Sequence, residues 1–181
     1  PPRRLLPSGP PPVPALRFAI TGYCEVIAIM TDWTWSLNWG EITPTILVGT
    51  CPMAPADIKR IAMEAQATAL LSLQHEDCLA YWDIDYPSLR RQGEALGLQL
   101  ARCPMRDFDI LDQGRRLPQA VMALVALQRA GHRCYVHCTA GLGRAPLTVW
   151  AYLAWAGGAS LETAIQRVRI GRPAAVPAGE A

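Results

Sequence analysis

Short apolar runs and amphipathic stretches alternate along the chain from about residue 42 onwards. Apolar runs of strand length, bounded by Gly, Pro or charged residues, predict strands at residues 42–49, 69–73, 98–103 and 133–137. Apolar positions at helical spacing predict helices at residues 56–66, 87–96, 117–130, 145–156 and 160–170. Because strands and helices alternate, we expect an α/β fold with a mainly parallel sheet that is covered on both faces.

The two ends of the chain differ from this alternating pattern. Residues 1–15 hold seven prolines, which predicts an extended, disordered linker without packed structure. Apolar runs at 16–20 and 26–30 predict a hairpin within a variable segment, residues 16–36. We expect the folded domain over residues 37–181, and because the chain stops soon after the last predicted helix, we expect that domain to lack a final helix.

Composition narrows the possible functions. With 51% hydrophobic and 18% charged residues among 181, one globular domain is expected. The net charge of +2 comes without any basic cluster, so we predict no nucleic-acid surface. No apolar run reaches the ~18–20 residues of a membrane span. The six cysteines are scattered without metal-ligand spacing, which predicts a reducing compartment and neither a metal nor another cofactor.

The most informative stretch is Arg-Cys-Tyr-Val-His-Cys-Thr-Ala-Gly-Leu-Gly-Arg-Ala-Pro, at residues 133–146. A predicted strand leads into His137-Cys138, and five residues separate Cys138 from Arg144. An apolar, helix-like segment follows directly. The sequence therefore predicts a strand, a tight loop and a helix in succession.

Such a loop suits a bound phosphate. Gly141 and Gly143 let successive backbone N–H groups turn inward, and the helix N-terminus adds a partial positive charge. Arg144 presents a planar fork to two phosphate oxygens, and a thiolate at Cys138 would be a nucleophile aimed at phosphorus. The alternative is a buried cysteine in a structural turn. The combination of His137, Cys138, two glycines and Arg144 favours the phosphate site.

Cleavage of a phosphate ester needs a proton donor for the leaving oxygen. Asp107, Asp109 and Asp112 follow the strand predicted at 98–103, so parallel strands would bring their loop to the same sheet edge as Cys138. Asp107 and Asp109 point to different sides of an extended loop, so we expect one to meet the substrate and the other to brace the loop. Asp112 best fits the N-cap of the next helix. The alternative is that all three carboxylates are solvated or cap the helix.

Three tryptophans, Trp33, Trp35 and Trp39, lie within seven residues. Large aromatic side chains most often fill a core, and this interpretation is favoured. The alternative is a platform on which sugar rings stack.

The residues around Cys138 resemble the dual-specificity phosphatases. The run from His137 to Pro146 is similar to the signature loop of that family. Its form Cys-Thr-Ala-Gly-Leu-Gly-Arg is similar to the glucan phosphatases, which are the plant starch-excess enzymes and their relatives, with laforin as the animal counterpart. Further segments that look like family landmarks, in the family's order, lie at residues 46–51, 55–58, 73–74, 81–85, 106–109 and 116–118. The resemblance covers about residues 37–173.

This resemblance implies a fold and a set of catalytic roles. The family fold is α/β, with a central, mainly parallel sheet of about five strands flanked by helices on both faces. Cys138 matches the nucleophile that forms a phosphocysteine intermediate, Arg144 matches the phosphate clamp, and Asp107 matches the general acid that returns as base. The other phosphate-binding positions of the loop are Thr139, Ala140, Gly141, Leu142 and Gly143.

The resemblance also implies a substrate. In glucan phosphatases, aromatic residues beside the active site form a channel that holds the glucan chain. Tyr81 and Trp82 match the aromatic pair of the recognition segment, Phe108 matches the aromatic next to the acid, and Trp39 matches an aromatic near the start of the domain. The implied function is removal of phosphate monoesters from a phosphorylated starch- or glycogen-like polymer, in the chloroplast of a plant or alga and otherwise in the cytoplasm.

Two positions bear on this assignment. Many phosphatases of the wider superfamily have Ser or Thr after the loop arginine, whereas Ala145 is also Ala in the glucan-specific enzymes. Asp83 stands where the family usually has Gly, which removes backbone freedom from the recognition segment. Since the catalytic residues serve both classes, a dual-specificity phosphatase with a phosphoprotein or phosphoinositide substrate is the alternative. A non-catalytic, glucan- or phosphate-binding scaffold is the third possibility.

Overall fold

A five-stranded sheet forms the centre of the computed structural model, which describes residues 34–176. Its strands are β1 (Trp39–Thr43), β2 (Ile46–Gly49), β3 (Ala69–Gln74), β4 (Gln99–Met105) and β5 (Cys134–His137). The strand order is β1-β2-β5-β3-β4. Only the β1–β2 pair is antiparallel, so the mainly parallel sheet predicted from the sequence is confirmed.

Six helices accompany this sheet within the same residues. They are α1 (Pro55–Met63), α2 (Glu76–Tyr81), α3 (Tyr86–Ala95), α4 (Ile110–Arg129), α5 (Arg144–Trp155) and α6 (Leu161–Gly171). Helices α4, α5 and α6 share one hydrophobic cluster with the sheet, and α1 and α3 share the other. This two-sided packing confirms the predicted fold class. Between residues 34 and 176 no helix is long and apolar enough to cross a membrane.

The central strands serve both clusters, which explains their almost wholly apolar sequences. Leu71 and Val136 belong to the cluster under α4, α5 and α6. Their neighbours Leu70 and Tyr135 belong to the cluster under α1 and α3. Because successive residues of a strand face opposite sides, a strand that is covered on both faces must be apolar at every position.

The strand predicted over residues 42–49 is wrong in detail, because the structure has a hairpin there. Strands β1 and β2 are separated by a turn at residues 44 and 45. Pro44 has no N–H to donate to a ladder, so the chain turns where the pattern alone indicated one continuous strand.

Two further boundaries differ from prediction because of proline. Strand β4 continues through Pro104 to Met105, since β4 is an edge strand where a missing N–H is tolerated. Helix α4 begins at Ile110 and contains Pro118, whereas the sequence placed its start near that proline. The short helix α2 was not predicted, since six residues give no helical periodicity. The predicted linker, the hairpin at 16–30 and Trp33 lie outside the described residues.

The end of α6 lies directly against β1 through two glycines. A Cβ on Gly40 would overlap the carbonyl group of Gly171, and a Cβ on Gly171 would overlap the carbonyl group of Glu41. The two backbones therefore approach each other more closely than any side chain permits. This contact fixes where the chain leaves α6, which is beside the loop that follows β5.

The two glycines at helical positions 114 and 171 give a matched test of this packing. Gly114 is a solvent-exposed residue within α4, and a Cβ there meets nothing within 4 Å. We expect Gly114→Ala to raise the free energy of unfolding by about 0.5–1 kcal/mol, because alanine favours helix. Gly171→Ala should lower it by about 1–3 kcal/mol through overpacking. Urea unfolding measures both, and equal shifts would contradict the close contact.

Candidate active site

The loop between β5 and α5 has the predicted architecture. Cys138 directly follows β5 and is 2% exposed. Arg144 is the first residue of α5, and Gly143 is the N-cap without a side-chain hydrogen bond. The N-terminus of α5 therefore faces a loop whose first residue is a buried cysteine. We call residues 138–144 the phosphate loop.

The carbonyl groups of the phosphate loop are all engaged from outside it. Four successive carbonyls, residues 139–142, accept hydrogen bonds from other segments. The donors are Cys51 N to Thr139 at 2.9 Å, Arg172 Nη2 to Ala140 at 3.0 Å, Arg172 Nε to Gly141 at 3.3 Å and Val176 N to Leu142 at 2.8 Å. Within residues 34–176, none of the N–H groups of residues 139–143 donates a hydrogen bond.

This arrangement sets the direction of the N–H groups. In a trans peptide the carbonyl and the following N–H point to opposite sides. Holding the carbonyls of residues 139–142 outward therefore turns the N–H groups of residues 140–143 towards the inside of the loop. A concave row of unpaired N–H groups at a helix N-terminus is an anion-binding geometry.

One of the two loop glycines is required by this backbone. Gly141 has φ +68°, and a Cβ there would lie 2.5 Å from the carbonyl oxygen of Gly49. Gly143 has φ −110°, and a Cβ there meets nothing within 4 Å. The sequence assigned the turn to both glycines, whereas the left-handed conformation and the close approach both fall on Gly141.

Arg144 connects the phosphate loop to two other segments. Its side chain is 1% exposed. Nη1 donates to Met105 O at 3.0 Å and Cys78 Sγ at 3.3 Å, and Nη2 donates to Asp107 Oδ2 at 2.7 Å and Thr139 Oγ1 at 3.2 Å. Burial alone would lower the pKa of Arg144, but the negative charges of Cys138 and Asp107 outweigh it and raise this pKa. The guanidinium is thus a fixed, buried cation beside the cysteine.

Asp107 and Arg144, predicted from separate parts of the sequence, form an ion pair. The Asp107 side chain remains 40% exposed, so one side of the carboxyl group is open to solvent. Asp109 instead caps α4, where its Oδ1 accepts from Asp112 N at 2.9 Å. Asp109 therefore braces the loop, as one of the two carboxylates was predicted to do, and the substrate contact of Asp107 stays a prediction.

The backbone before Asp107 is held at both of its polar groups. Arg106 N donates to Asp112 Oδ2 at 2.8 Å, and Gln113 Nε2 donates to Arg106 O at 3.1 Å. The prediction that Asp112 is the N-cap is wrong, because α4 begins earlier and Asp112 falls in its first turn. Asp112 and Gln113 anchor the segment that carries Asp107.

His137 supports the cysteine from the end of β5. It is fully buried, and burial lowers its pKa to about 4, so the ring is neutral at physiological pH. Its Nδ1 lies 2.9 Å from the carbonyl oxygen of Cys138, which assigns the single ring proton to Nδ1 as donor. Within the described residues Nε2 has no partner, which costs less for an unprotonated nitrogen than for an N–H group.

The other described cysteines differ in environment. Burial raises the pKa of Cys51 to about 12, with the nearby Cys138 adding to the shift. Burial also raises the pKa of Cys103 and of Cys134. These three side chains are therefore thiols rather than thiolates near neutral pH, and they are poor nucleophiles. Cys78 accepts a hydrogen bond from Arg144, a contact that sequence spacing did not indicate.

The aromatic residues occupy three segments. Tyr81, 54% exposed, meets Trp82 edge to face with ring centroids 5.2 Å apart. Phe108 is 65% exposed and has φ +57°. Trp39 is half-buried against Tyr135, and the core-filling interpretation is favoured for Trp35, which packs on the cluster under α1 and α3.

Each of these segments is also linked to the phosphate loop, through Arg144 or through Arg172. Phe108 follows Asp107, which pairs with Arg144. Helix α2 ends at Tyr81 and reaches Arg144 through Cys78. Trp39 follows Asn38, whose side chain accepts from Arg172.

Asp83, where the resemblance would place glycine, still has the backbone conformation that glycine favours. Its φ is +51°, in the left-handed region. Aspartate is one of the few other residue types that adopt this conformation readily. The replacement therefore does not prevent the turn after α2.

No group of three or more His, Cys, Asp or Glu side chains in the described part of the chain is arranged to hold a metal ion.

Comparison with known families agrees with this geometry. The sequence profile of "Dual specificity phosphatase, catalytic domain" matches residues 78–180, which is more than half of the chain. The chain belongs to this family. A crystal structure of Tk-PTP in the active form superposes with a TM-score of 0.62 at 24% identity, covering 76% of this chain and 86% of that one, which establishes the fold.

Three relatives carry names that specify a substrate or a family branch. "Phosphoglucan phosphatase DSP4, amyloplastic" of Castanea sativa is 37% identical over 127 residues, which are 69% of this chain and 34% of that protein. "Phosphoglucan phosphatase LSF1, chloroplastic" of Arabidopsis thaliana is 32% identical over 71% of this chain and 22% of its own length. Laforin of Mus musculus is 28% identical over 85% of this chain and 52% of its own length. The chain thus spans about half or less of each relative's length.

The low pKa of His137 makes stability depend on pH. Between pH 6.5 and about 4 the unfolded chain binds a proton at this ring and the folded chain does not, so stability falls as pH falls. We expect wild type to lose roughly 2 kcal/mol more than His137→Asn between about pH 7 and pH 5, from ~1.4 kcal/mol per pH unit below the unfolded pKa. Urea unfolding at both pH values measures this, and equal losses would show that His137 is not held neutral.

Proposed function

We propose that this chain is a cysteine-dependent phosphatase that removes phosphate monoesters from a phosphorylated glucan through a phosphocysteine intermediate. The observation that carries the proposal is the meeting of Asp107 and Arg144, 2.7 Å apart, beside a buried cysteine at the base of an anion-binding loop. A loop that only bound phosphate would need the arginine and the N–H groups. The carboxyl group adds a proton donor, which binding does not require.

In the first step the phosphate dianion binds to the inward N–H groups and to Arg144. The substrate phosphate takes over Arg144 Nη2 from Asp107, which frees the carboxyl group to face the leaving oxygen. The sulfur of Cys138 attacks phosphorus, and an S–P bond forms while the ester P–O bond breaks. Once it has left Arg144, the Asp107 carboxylate takes up a proton from solvent and transfers it to the leaving oxygen, so the alcohol departs neutral and Asp107 is again a carboxylate.

In the second step water cleaves the intermediate. The carboxylate of Asp107 accepts a proton from water as its oxygen attacks phosphorus, and the S–P bond breaks. Inorganic phosphate leaves, the thiolate of Cys138 is restored, and Asp107 is again protonated. Ala145, fully buried, offers no hydroxyl group to the departing sulfur, so stabilisation of that sulfur rests on Arg144 and the loop N–H groups.

Two findings support a glucan as the substrate. The plant relatives are named phosphoglucan phosphatases, one amyloplastic and one chloroplastic. Tyr81 and Phe108 expose large aromatic surfaces on segments that contact the catalytic arginine or adjoin its partner. Exposed aromatic side chains offer flat apolar faces to a sugar ring. We propose a plastid location with this substrate for a plant or algal source, and a phosphoprotein as the alternative substrate.

The catalytic roles can be tested on a small aryl phosphate. We expect Cys138→Ser to abolish turnover, because a hydroxyl group is a far weaker nucleophile than a thiolate. Asp107→Asn should lower kcat by roughly 10²–10⁴-fold through loss of the proton donor. Asp85→Asn is the matched control, since asparagine caps α3 as well as aspartate does. Wild-type rates in Cys138→Ser would reject the mechanism.

The substrate class needs a comparison on one preparation. We expect Tyr81→Ala and Phe108→Ala to lower kcat/KM on phosphorylated amylopectin by roughly tenfold each, the scale of one lost aromatic contact, with the aryl phosphate rate unchanged. Met122→Ala, which removes another exposed apolar side chain from α4, is the control. Rapid turnover of a phosphotyrosine peptide with none on amylopectin would instead establish the phosphoprotein alternative.

A further inference from the structure

Arg172 lies at the point where the chain leaves α6. The helix ends at Gly171, since Pro173 disfavours the helical conformation in the residue before it. Arg172 has φ −139° and ψ 77°, and its own N–H still donates to Val168 O. The Gly40–Gly171 contact fixes this position against β1, and the side chain of Arg172 reaches the outer side of the phosphate loop.

Three nitrogens of Arg172 each have a separate acceptor. Nη2 donates to Ala140 O at 3.0 Å, Nε donates to Gly141 O at 3.3 Å, and Nη1 donates to the side-chain oxygen of Asn38. The planar guanidinium thus binds two successive loop carbonyls, which the single ammonium group of lysine cannot reproduce with the same geometry. Four residues further on, Val176 N holds the next carbonyl, that of Leu142.

In the described part of the chain, Arg172 has no acidic partner. Its acceptors there are two carbonyls and an amide oxygen, and no carboxylate between residues 34 and 176 forms an ion pair with it. Burial lowers the pKa of Arg172, while Tyr135 and Cys138 act in the opposite direction. A partly buried cation that no carboxylate pairs with is stabilised when an anion binds nearby.

From these contacts we infer that Arg172 is a positioning residue of the phosphate site. It turns the carbonyls of Ala140 and Gly141 outward, which directs the following N–H groups to the phosphate. It also places behind the loop a positive charge that no carboxylate of residues 34–176 pairs with. The inference rests on the proposed function for the identity of the anion. The anion affinity itself can be measured without catalysis.

A merely structural role for Arg172 gives a different expectation. If the side chain only fastened α6 to β1, its loss would lower stability and leave the affinity of the folded protein for phosphate unchanged. A positioning role changes that affinity, because the N–H groups lose their fixed direction. Anion affinity and stability must therefore be measured on the same variants.

The experiment compares Arg172→Met and Arg172→Lys with Arg167→Met, which removes an exposed arginine from the same helix. Affinity for inorganic phosphate and for tungstate is measured by calorimetry. An aryl phosphate serves as substrate for kcat and KM, and thermal unfolding measures stability. We expect Arg172→Met to lower the affinity for both anions by roughly tenfold or more, as for a lost charge-assisted contact. The affinity of Arg172→Lys should lie between those of wild type and Arg172→Met, because lysine keeps the charge and lacks the planar guanidinium. Arg167→Met should equal wild type.

Each outcome decides the inference. Anion affinity in folded Arg172→Met equal to that in Arg167→Met would overturn it and leave Arg172 a structural contact. Should Arg172→Met not fold, Arg172→Lys carries the test, and wild-type affinity in that variant would overturn the carbonyl-fixing role. If wild type binds tungstate but releases no phosphate from any ester, the proposed function fails, and weaker binding in Arg172→Met still supports the inference.

Discussion

The outward hydrogen bonding of four successive carbonyls in the phosphate loop is the constraint on which the site depends. Peptide planarity links each carbonyl to the next N–H, so fixing one group fixes the other. The donors come from after β2, from the end of α6 and from the chain beyond it. The inward row of N–H groups, which is the proposed anion site, is therefore a product of packing around the loop. Its glycine requirement is local, and falls on Gly141, where the loop passes the end of β2.

The ion pair between Arg144 and Asp107 joins this loop to the segment after β4. Strands β4 and β5 run parallel in the sheet, so the segment after β4 and the phosphate loop after β5 emerge at the same edge. Asp112 and Gln113 hold the backbone beside Asp107, which limits how far the carboxyl group travels when phosphate replaces it on Arg144. The resting site thus neutralises the buried guanidinium with the group that the proposed reaction needs as its acid.

The sequence predicted the parts of this site whose residues lie close together along the chain. Cys138, Arg144 and the flanking strand and helix lie in one stretch, and Asp107 follows a recognisable strand. Arg172 escaped prediction because its contacts join residues 31 or more positions apart, which no local spacing records. The predicted boundaries near two prolines were wrong in opposite ways. Pro44 lies in a turn that interrupts the predicted strand, whereas Pro118 lies within a helix that was predicted to begin near it. The misplaced helix start also exchanged the roles of Asp109 and Asp112.

In the proposed reaction, substrate choice rests on different elements from phosphate binding. The phosphate loop would contact only the phosphoryl group, so it places no demand on what the phosphate is attached to. Gln66, Asp83 and Phe108 are the non-glycine residues with positive φ between residues 34 and 176, and two of them lie on the segments that carry the proposed glucan contacts. Backbone strain of this kind persists where surrounding structure enforces it, and it often marks functional sites. At Phe108 it holds an exposed aromatic ring next to Asp107, which is where a sugar bearing the scissile phosphate would have to lie.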